Sequence, residues 1–324
     1  MKILIAPDKF KGSLTASEVC QALKHGLKAS IEDAEVISCP LADGGDGSLN
    51  VLGNYLDLET LALEVADPLG RRIPAAYRRA GHSAFIEVSA ASGLALLDTT
   101  ERSATETSSF GTGQQMAHAI QDGAEEIYLF LGGSATNDGC LGIAEALGYQ
   151  FYDAKGNRLQ PIGGNLIHLD RIQKDHLLFD PEKIEVSLIC DVNNPLFGPQ
   201  GAAHVYADHK GASPEQIHSL DQGLQNLARC LIQHDFPDIQ TLAGAGAAGG
   251  IGGGGVAFLG GKIKSGTKTF LEISQLEAHI RSADLIITGE GRLDDQTAQG
   301  KLISGVAELT QKYQKPLFGV CGSA

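Results

Sequence analysis

Residues 127–139 read Ile-Tyr-Leu-Phe-Leu-Gly-Gly-Ser-Ala-Thr-Asn-Asp-Gly. A run of five apolar residues has the length of a buried strand, and it ends in two glycines followed by small or polar side chains. The glycines allow the backbone to turn sharply and to approach a ligand closely. The segment is therefore either a strand-to-helix turn with Asn and Asp as caps, or a loop that binds a small polar substrate.

Both ends of the chain carry an alternating pattern of strands and helices. Strands are predicted at 3–6, 36–39, 285–288 and 317–320, and helices at about 15–29, 49–55 and 301–314. Thr15-Ala-Ser-Glu18 has the form of a capping box, which predicts the start of the first helix. This alternation predicts a parallel sheet covered by helices.

The middle of the chain has a different pattern. Residues 61–65 and 73–77 alternate apolar and polar side chains around a turn, which is typical of antiparallel strands. We therefore expect an α/β protein in which a parallel flavodoxin/Rossmann-like domain is built from residues 1–65 and 283–324. A large mixed α/β domain, residues 66–282, is inserted into it. The cleft between the two domains is the expected ligand site.

Composition excludes several classes of protein. Of the 324 residues 43% are hydrophobic and 20% are charged, as in globular proteins, and the net charge of −14 argues against nucleic acid or an anionic membrane as partner. The six cysteines form no C-x-x-C pair, which favours free thiols and a cytoplasmic location. The sequence contains no run of about 18 apolar residues, so it predicts no transmembrane helix. Homo-oligomerisation stays open.

Acidic residues follow several predicted strands and lie close to glycines. They are Asp8, Asp43, Asp46, Asp138, Asp191 and Glu290. One acid in such a place is usually a helix cap, whereas a set of them is typical of a catalytic or Mg²⁺ site at the carboxyl edge of a sheet. The sequence therefore favours metal or catalytic use for at least two of them.

Basic residues lie near two of these strand ends. Lys9 and Lys11 precede the first helix, whose free N–H groups suit a phosphate, although both could be solvated surface lysines. Arg292 lies between Glu290 and Asp294, where a structural ion pair is the alternative to a ligand contact.

The stretch 244–249 matches G-x-G-x-x-G, but it lacks the preceding strand and the later acid that a dinucleotide site needs. An NAD enzyme is therefore disfavoured. The remaining interpretations are a glycine-rich loop over nucleotide phosphates and a closely packed Gly/Ala segment. Near residues 261–268 the order of the last residues excludes a Walker A loop, and no hydrolase elbow or zinc spacing is present.

Taken together, these motifs resemble the glycerate kinase family, in the type that is unrelated to P-loop kinases. The segments that carry the resemblance are Ile5-Ala-Pro-Asp-Lys-Phe-Lys-Gly-Ser-Leu14, Ala42-Asp-Gly-Gly-Asp-Gly47, Ser89-Ala-Ala-Ser-Gly93, Gly132-Gly-Ser-Ala-Thr-Asn-Asp138, Cys190-Asp-Val-Asn-Asn-Pro-Leu196, Gly244-Ala-Gly-Ala-Ala-Gly-Gly250 and Ile287-Thr-Gly-Glu-Gly-Arg292. The resemblance implies ATP-dependent phosphorylation of D-glycerate to 2-phosphoglycerate with Mg²⁺.

The resemblance also implies roles for individual residues. Asp191 is the expected base and Arg292 the expected partner of the carboxylate or the phosphoryl group. Substrate binding is expected from Ser89, Ser134, Asn137 and Asp138. The ATP phosphates are expected at Lys11, Ser13, Gly244, Gly246, Gly249 and Gly250. The metal candidates are Asp43, Asp46 and Glu290.

The chain departs from the family pattern in three places. Asp46 stands where the family usually has Glu, and residues 252–255 are richer in glycine than is usual in the family. The family also continues beyond Ala324, so we expect the parallel domain to be C-terminally incomplete. Two alternatives stay open. One is a kinase specific for the 3-hydroxyl of glycerate or for a related hydroxy acid. The other is an inactive relative that binds glycerate or nucleotide.

Overall fold

The structure is a computed structural model, and it describes residues 1–292 and 302–323. The chain divides into two compact units: unit 1 combines Met1–Asp57 with the segment that begins at Lys264, and unit 2 is the continuous segment Leu58–Ile263. Both boundaries come earlier in the chain than the predicted ones. The strand that begins at Glu59 lies wholly in unit 2, and the helices from Gly266 onward belong to unit 1.

In the described residues the strands are, in chain order, β1 Lys2–Ile5, β2 Glu35–Ser38, β3 Glu59–Ala66, β4 Arg72–Ala80, β5 Ser83–Glu87, β6 Glu126–Phe130, β7 Gln150–Tyr152, β8 Arg171–Gln173, β9 Glu185–Ile189, β10 Lys262–Lys264, β11 Leu285–Arg292 and β12 Leu317–Ser323. The α-helices are α1 Ala16–Ser30, α2 Ser48–Leu52, α3 Val88–Ser92, α4 Phe110–Gln121, α5 Leu141–Ala146, α6 Ala202–Tyr206, α7 Pro214–Gln233, α8 Ala247–Leu259, α9 Gly266–Ile273, α10 Leu276–Ser282 and α11 Leu302–Lys312. None of these helices is both long enough and apolar enough to cross a membrane.

Unit 1 contains a parallel sheet with the strand order β12-β11-β1-β2. Successive side chains of β1 point to opposite faces: Leu4 packs with Ile286 and Ile280 on one face, while Ile3 packs with Ile287 on the other. Each such fully buried side chain contributes about 1.5–3 kcal/mol to stability. Burial on both faces explains why β1 is a continuous apolar run rather than an alternating one.

The predicted capping box of α1 is confirmed. The hydroxyl of Thr15 accepts from the N–H of Glu18 at 3.2 Å, and the N–H of Thr15 donates to the carboxylate of Glu18 at 2.8 Å. These two bonds satisfy donors that have no partner within the helix. The hydrogen bonds lower the pKa of the Glu18 carboxyl.

Unit 2 contains a mixed sheet with the order β10-β9-β6-β5-β4-β3. The β3–β4 and β4–β5 pairs are antiparallel, whereas β5–β6 and β6–β9 are parallel. Ile127 and Leu129 of β6 lie in one buried apolar cluster with Met116 of α4 and Ile143 of α5. The predicted fold class is therefore confirmed: a parallel sheet formed by both chain ends, and a mixed α/β insertion.

Helix α8 is one of the elements that the sequence pattern does not predict, because Gly252–Gly255 would weaken an isolated helix. Its packing explains the glycines. A Cβ atom on Gly254 would lie 2.1 Å from the carbonyl oxygen of Gly139, and one on Gly252 would lie 2.2 Å from that of Gly244. The helix thus approaches its neighbours backbone to backbone, which larger residues would prevent.

Candidate active site

Three parallel strands of unit 2 bring predicted substrate residues to one edge. Strands β5, β6 and β9 are neighbours and pair in register through their last residues. Ser89 lies in α3 directly after β5, the 132–138 loop follows β6, and Asp191 follows β9. Ligands of open α/β sheets bind outside the carboxyl ends of such strands. The structure therefore places these predicted residues where a ligand of unit 2 would be expected.

Neighbouring segments fix the conformation of the 132–138 loop. The N–H of Ala135 donates to the carbonyl of Ser92 at 2.9 Å, and the hydroxyl of Thr107 donates to the carbonyl of Ala135 at 3.0 Å. Gly249 packs so closely against the loop that a Cβ atom there would lie 2.0 Å from the carbonyl oxygen of Thr136. The loop is therefore held on both sides by backbone contacts.

Asp138 is buried, and the protein itself occupies its carboxylate. Its oxygens accept from the N–H and hydroxyl of Ser109 at 2.7 Å each, from the N–H of Gly142 at 3.1 Å and from the N–H of Cys140 at 3.3 Å. Burial raises the pKa of this carboxyl, while the hydrogen bonds act in the opposite direction. Asp138 thus joins the loop to the first turns of α4 and α5, and contact with substrate stays a prediction for it.

Lys210 is a buried cation that sequence reasoning missed. Its ammonium group donates to the hydroxyl oxygen of Ser134 at 2.9 Å and to the carbonyl oxygen of Thr136 at 2.7 Å. Burial lowers the pKa of Lys210 to about 8, and the negative charge of Asp138 opposes this shift. Lys210 ends a short 3₁₀ turn, Asp208–Lys210, in a sequence that resembles any surface turn, so no local signal marks it.

Two further side chains of the loop are buried without a hydrogen-bond partner among the described residues. They are the hydroxyl of Thr136 and both amide atoms of Asn137. Such groups are uncommon in folded proteins, and leaving one unsatisfied costs about 1–3 kcal/mol. The amide of Asn137 therefore has unused donors and an unused acceptor, which agrees with its predicted role in binding but does not test it.

Asp191 lies just beyond the end of β9 and is half-buried. Its charge adds to the effect of burial on the neighbouring thiol, raising the pKa of Cys190 to about 11. Asp191 takes part in further interactions within the protein. Its predicted role as a base depends on its position at the same edge as Ser134.

The glycines predicted to bind ATP phosphates are buried in unit 2. Added Cβ atoms at Gly246 and Gly249 would lie within 2.3 Å of backbone carbonyl oxygens, and those at Gly244 and Gly250 within 3.1 Å of other backbone atoms. Gly249 and Gly250 also have φ angles of 69° and 93°, which favour glycine. Close packing therefore explains why these residues are glycines, and phosphate binding by them stays a prediction.

In unit 1, acidic groups gather at the carboxyl ends of the parallel strands. The N–H of Asp8 donates to the carbonyl of Gly289 at 2.8 Å, which places Asp8 beside the strand that carries Glu290. Burial raises the pKa of Asp8 to about 7, and the charges of Asp43 and Glu290 contribute to this rise. This part of unit 1 therefore has an excess of negative charge.

Asp43 behaves differently from Asp8. Burial raises the pKa of its carboxyl, but the ammonium group of Lys9 at 3.3 Å and the N–H of Gly45 at 2.9 Å outweigh burial, so the net shift is downward. Asp43 is thus ionised beside a carboxyl that resists ionisation. The structure brings Asp8, Asp43 and Glu290 close enough for their charges to interact, and it pairs Lys9 with Asp43.

A cavity of about 250 Å³ opens at the start of α1 and is lined by Asp8, Lys9 and Asp46, among others. Lys11 and Ser13 lie in the exposed turn between Phe10 and Leu14, and their predicted phosphate contacts stay predictions. Arg292 ends β11, where it is exposed. Asp294, its suggested ion-pair partner, lies outside the described residues.

The chemistry of these acids fits a divalent cation only in part. Across residues 1–292 and 302–323, no three His, Cys, Asp or Glu side chains form a group that could hold a metal ion. Burial is the main cause of the raised pKa of Asp8, but the charges of Asp43 and Glu290 add to it, and this negative charge would favour a cation. Local negative charge with few carboxylate ligands suits Mg²⁺, which usually takes one or two carboxylates and completes its shell with water and phosphate oxygens.

Comparison with known proteins assigns the family. The family model described as "Glycerate kinase family" matches residues 3–324. The chain is 41% identical to a glycerate kinase of Bacillus cereus and 41% identical to the glycerate 2-kinase of Escherichia coli K12, with 100% of this chain and 85% of each relative covered. The crystal structure of a glycerate kinase 2 from Salmonella typhimurium LT2 superposes with a TM-score of 0.89 at 42% identity, covering 100% of this chain and 87% of that one. The chain therefore belongs to the glycerate kinase family.

Proposed function

We propose that this protein transfers a phosphoryl group from ATP to D-glycerate and releases 2-phosphoglycerate. The observation that carries the proposal is the carboxyl edge of unit 2, where Ser89, the 132–138 loop and Asp191 follow three neighbouring parallel strands. The similarity to a relative named glycerate 2-kinase supports the choice of substrate and hydroxyl. Glycerate offers one carboxylate and two hydroxyls, which match the hydroxyl, amide and carboxylate groups at this edge.

Asp191 is the proposed base. As the oxygen of the 2-hydroxyl forms its bond to the γ-phosphorus of ATP, the bond between that phosphorus and ADP breaks and the hydroxyl proton passes to Asp191. Ser134 and Asn137 would orient the glycerate, because Ser134 lies at the same edge and the amide of Asn137 has no hydrogen-bond partner among the described residues. Asp138 is better suited to shaping the loop, since four donors already occupy its carboxylate.

Unit 1 would hold the metal and the phosphates. One or two of the carboxylates of Asp43, Asp46, Glu290 and Asp8 would hold Mg²⁺, water and phosphate oxygens would complete its shell, and the ion would neutralise charge on the phosphates. Lys9, Lys11 and Ser13 lie near the N-terminus of α1, a position that favours anions. Arg292 would pair with the glycerate carboxylate or the moving phosphoryl group.

A cytoplasmic location is part of the proposal. All six cysteines are free thiols, and burial raises the pKa of Cys20 to about 12, which keeps its thiolate population small. Free buried thiols are typical of proteins in reducing compartments.

The test is an assay of ADP release from ATP and MgCl₂ with D-glycerate, with L-glycerate as the control, followed by ³¹P NMR of the product. We expect ADP and 2-phosphoglycerate with D-glycerate. A product of 3-phosphoglycerate would instead identify a kinase of the 3-hydroxyl. Saturable binding of D-glycerate without any ADP would favour an inactive binding relative.

A further inference from the structure

The buried ammonium group of Lys210 has no role in the site that the sequence predicts. Lys210 retains only 6% of its accessible surface, and removing a cation from water is costly unless partners compensate. Among the described residues its hydrogen-bond partners are a neutral hydroxyl and a neutral carbonyl, both in the 132–138 loop. A lysine placed in this way needs an explanation beyond packing, since an apolar residue would fill the space without the desolvation cost.

The contact with Ser134 has a defined direction. An ammonium group can only donate, so the oxygen of Ser134 accepts from Lys210 and the hydroxyl hydrogen must point away from it. No other described residue forms a hydrogen bond with that hydroxyl. The second bond, to the carbonyl of Thr136, fixes the ammonium group relative to the loop backbone. The O–H of Ser134 is therefore oriented and available to donate to a ligand.

We propose that Lys210 is a positioning residue for the acceptor substrate. Lys210 orients the hydroxyl of Ser134 as a donor to the carboxylate of a small 2-hydroxy acid. The inference rests on the proposed function for the identity of that acid as D-glycerate. An anionic acceptor is favoured because the positive charge of Lys210 strengthens the O–H of Ser134 as a donor.

Deprotonation of Lys210 would reverse this arrangement. A neutral amine can accept a hydrogen bond, so the hydroxyl of Ser134 could turn toward Lys210 and away from the substrate. The lowered pKa of Lys210 places this change near pH 8. Among the described residues, Asp138 is the charged group that acts on Lys210. The ammonium group of Lys210 contacts two neutral oxygens, the hydroxyl of Ser134 and the carbonyl of Thr136.

The first test uses the variants Lys210→Met and Ser134→Ala, separately and together. We expect each single variant to raise the KM for D-glycerate roughly tenfold or more, with much smaller changes in kcat and in the KM for ATP. The double variant should be no worse than the poorer single variant, because both remove the same interaction. Lys155→Met, which changes an exposed lysine of unit 2, is the matched control and should leave all three constants unchanged.

The second test is the dependence of the KM for D-glycerate on pH. For the wild type we expect this KM to rise as the pH passes about 8, and we expect that rise to vanish in Ser134→Ala and in Lys210→Arg, since a guanidinium stays charged. Ser134→Ala removes only one hydroxyl group and is therefore expected to fold, so it keeps the test valid if neither Lys210 variant folds.

The outcomes separate this inference from the proposed function. A wild type that phosphorylates D-glycerate while Lys210→Met keeps the wild-type KM would contradict the role of Lys210 alone. A rise of KM above pH 8 that persists in Ser134→Ala would contradict the action through Ser134. A wild type without glycerate kinase activity would instead overturn the proposed function on which the inference rests.

Discussion

Asp138 accepts hydrogen bonds from both the backbone N–H and the hydroxyl of Ser109, each at 2.7 Å. The hydroxyl oxygen of Ser109 in turn accepts from the N–H of Ile143 at 3.1 Å, so this one side chain joins the loop after β6 to two helices. We expect Ser109→Ala to lower the free energy of unfolding by about 1.5–3 kcal/mol, because a buried carboxylate loses a donor. Urea denaturation measures this. Ser83→Ala, whose hydroxyl donates to the exposed Glu126, is the control and should change stability by less than about 0.5 kcal/mol.

Replacement of the proposed base gives the most direct prediction for catalysis. Asp191→Asn should lower kcat roughly 10²–10⁴-fold, because the amide cannot take the proton of the 2-hydroxyl. The thermal midpoint should hardly change, since Asp191 is half-buried at the end of a strand rather than in the core. Asp175→Asn, at an exposed position, is the matched control. A kcat near that of the wild type in Asp191→Asn would exclude this residue as the base.

Asp8 predicts a dependence of stability on pH. Its folded pKa of about 7 lies above its ordinary value of 3.8, so the native state binds more protons than the unfolded chain between these values. The contribution of Asp8 to stability is therefore fully present below about pH 4 and is lost as the pH rises through 7. Asp8→Asn removes this loss. The thermal midpoint of Asp8→Asn minus that of the wild type should therefore be larger at pH 7.5 than at pH 4.5. Equal midpoint differences at both pH values would contradict the raised pKa.

Two glycine-to-alanine substitutions in helices should have opposite effects. In α8, Gly254→Ala would place its Cβ atom 2.1 Å from the carbonyl oxygen of Gly139, and we expect a loss of about 1–3 kcal/mol or more. In α1, Gly26 is exposed and nothing lies within 4 Å of an added Cβ atom, so Gly26→Ala should gain up to about 1 kcal/mol from helix propensity. Chemical denaturation of both variants compares the two effects. Tolerance of Gly254→Ala would show that close packing does not require this glycine.

Elements with a local signal could be predicted from the sequence. The capping box at Thr15 places the start of α1 correctly, and the alternation at 61–65 and 73–77 gives the antiparallel β3–β4 pair. Helix α8 could not be predicted, because its glycines are explained by contacts with Gly139 and Gly244 that no local pattern reveals. Lys210 was missed for a similar reason: its partner Ser134 is 76 residues away in the sequence.

The parallel pairing of Ile3 with Leu285 in unit 1 has a consequence for synthesis on the ribosome. Strand β1 leaves the ribosome first, but β11, its neighbour in the sheet, follows only after the whole of unit 2. The segment Leu58–Ile263 is continuous and can form its own sheet before β11, the neighbour of β1, has been synthesised. Nascent chains are therefore expected to acquire protease resistance in unit 2 before unit 1, and α1 and β1 to need protection from premature contacts during that interval.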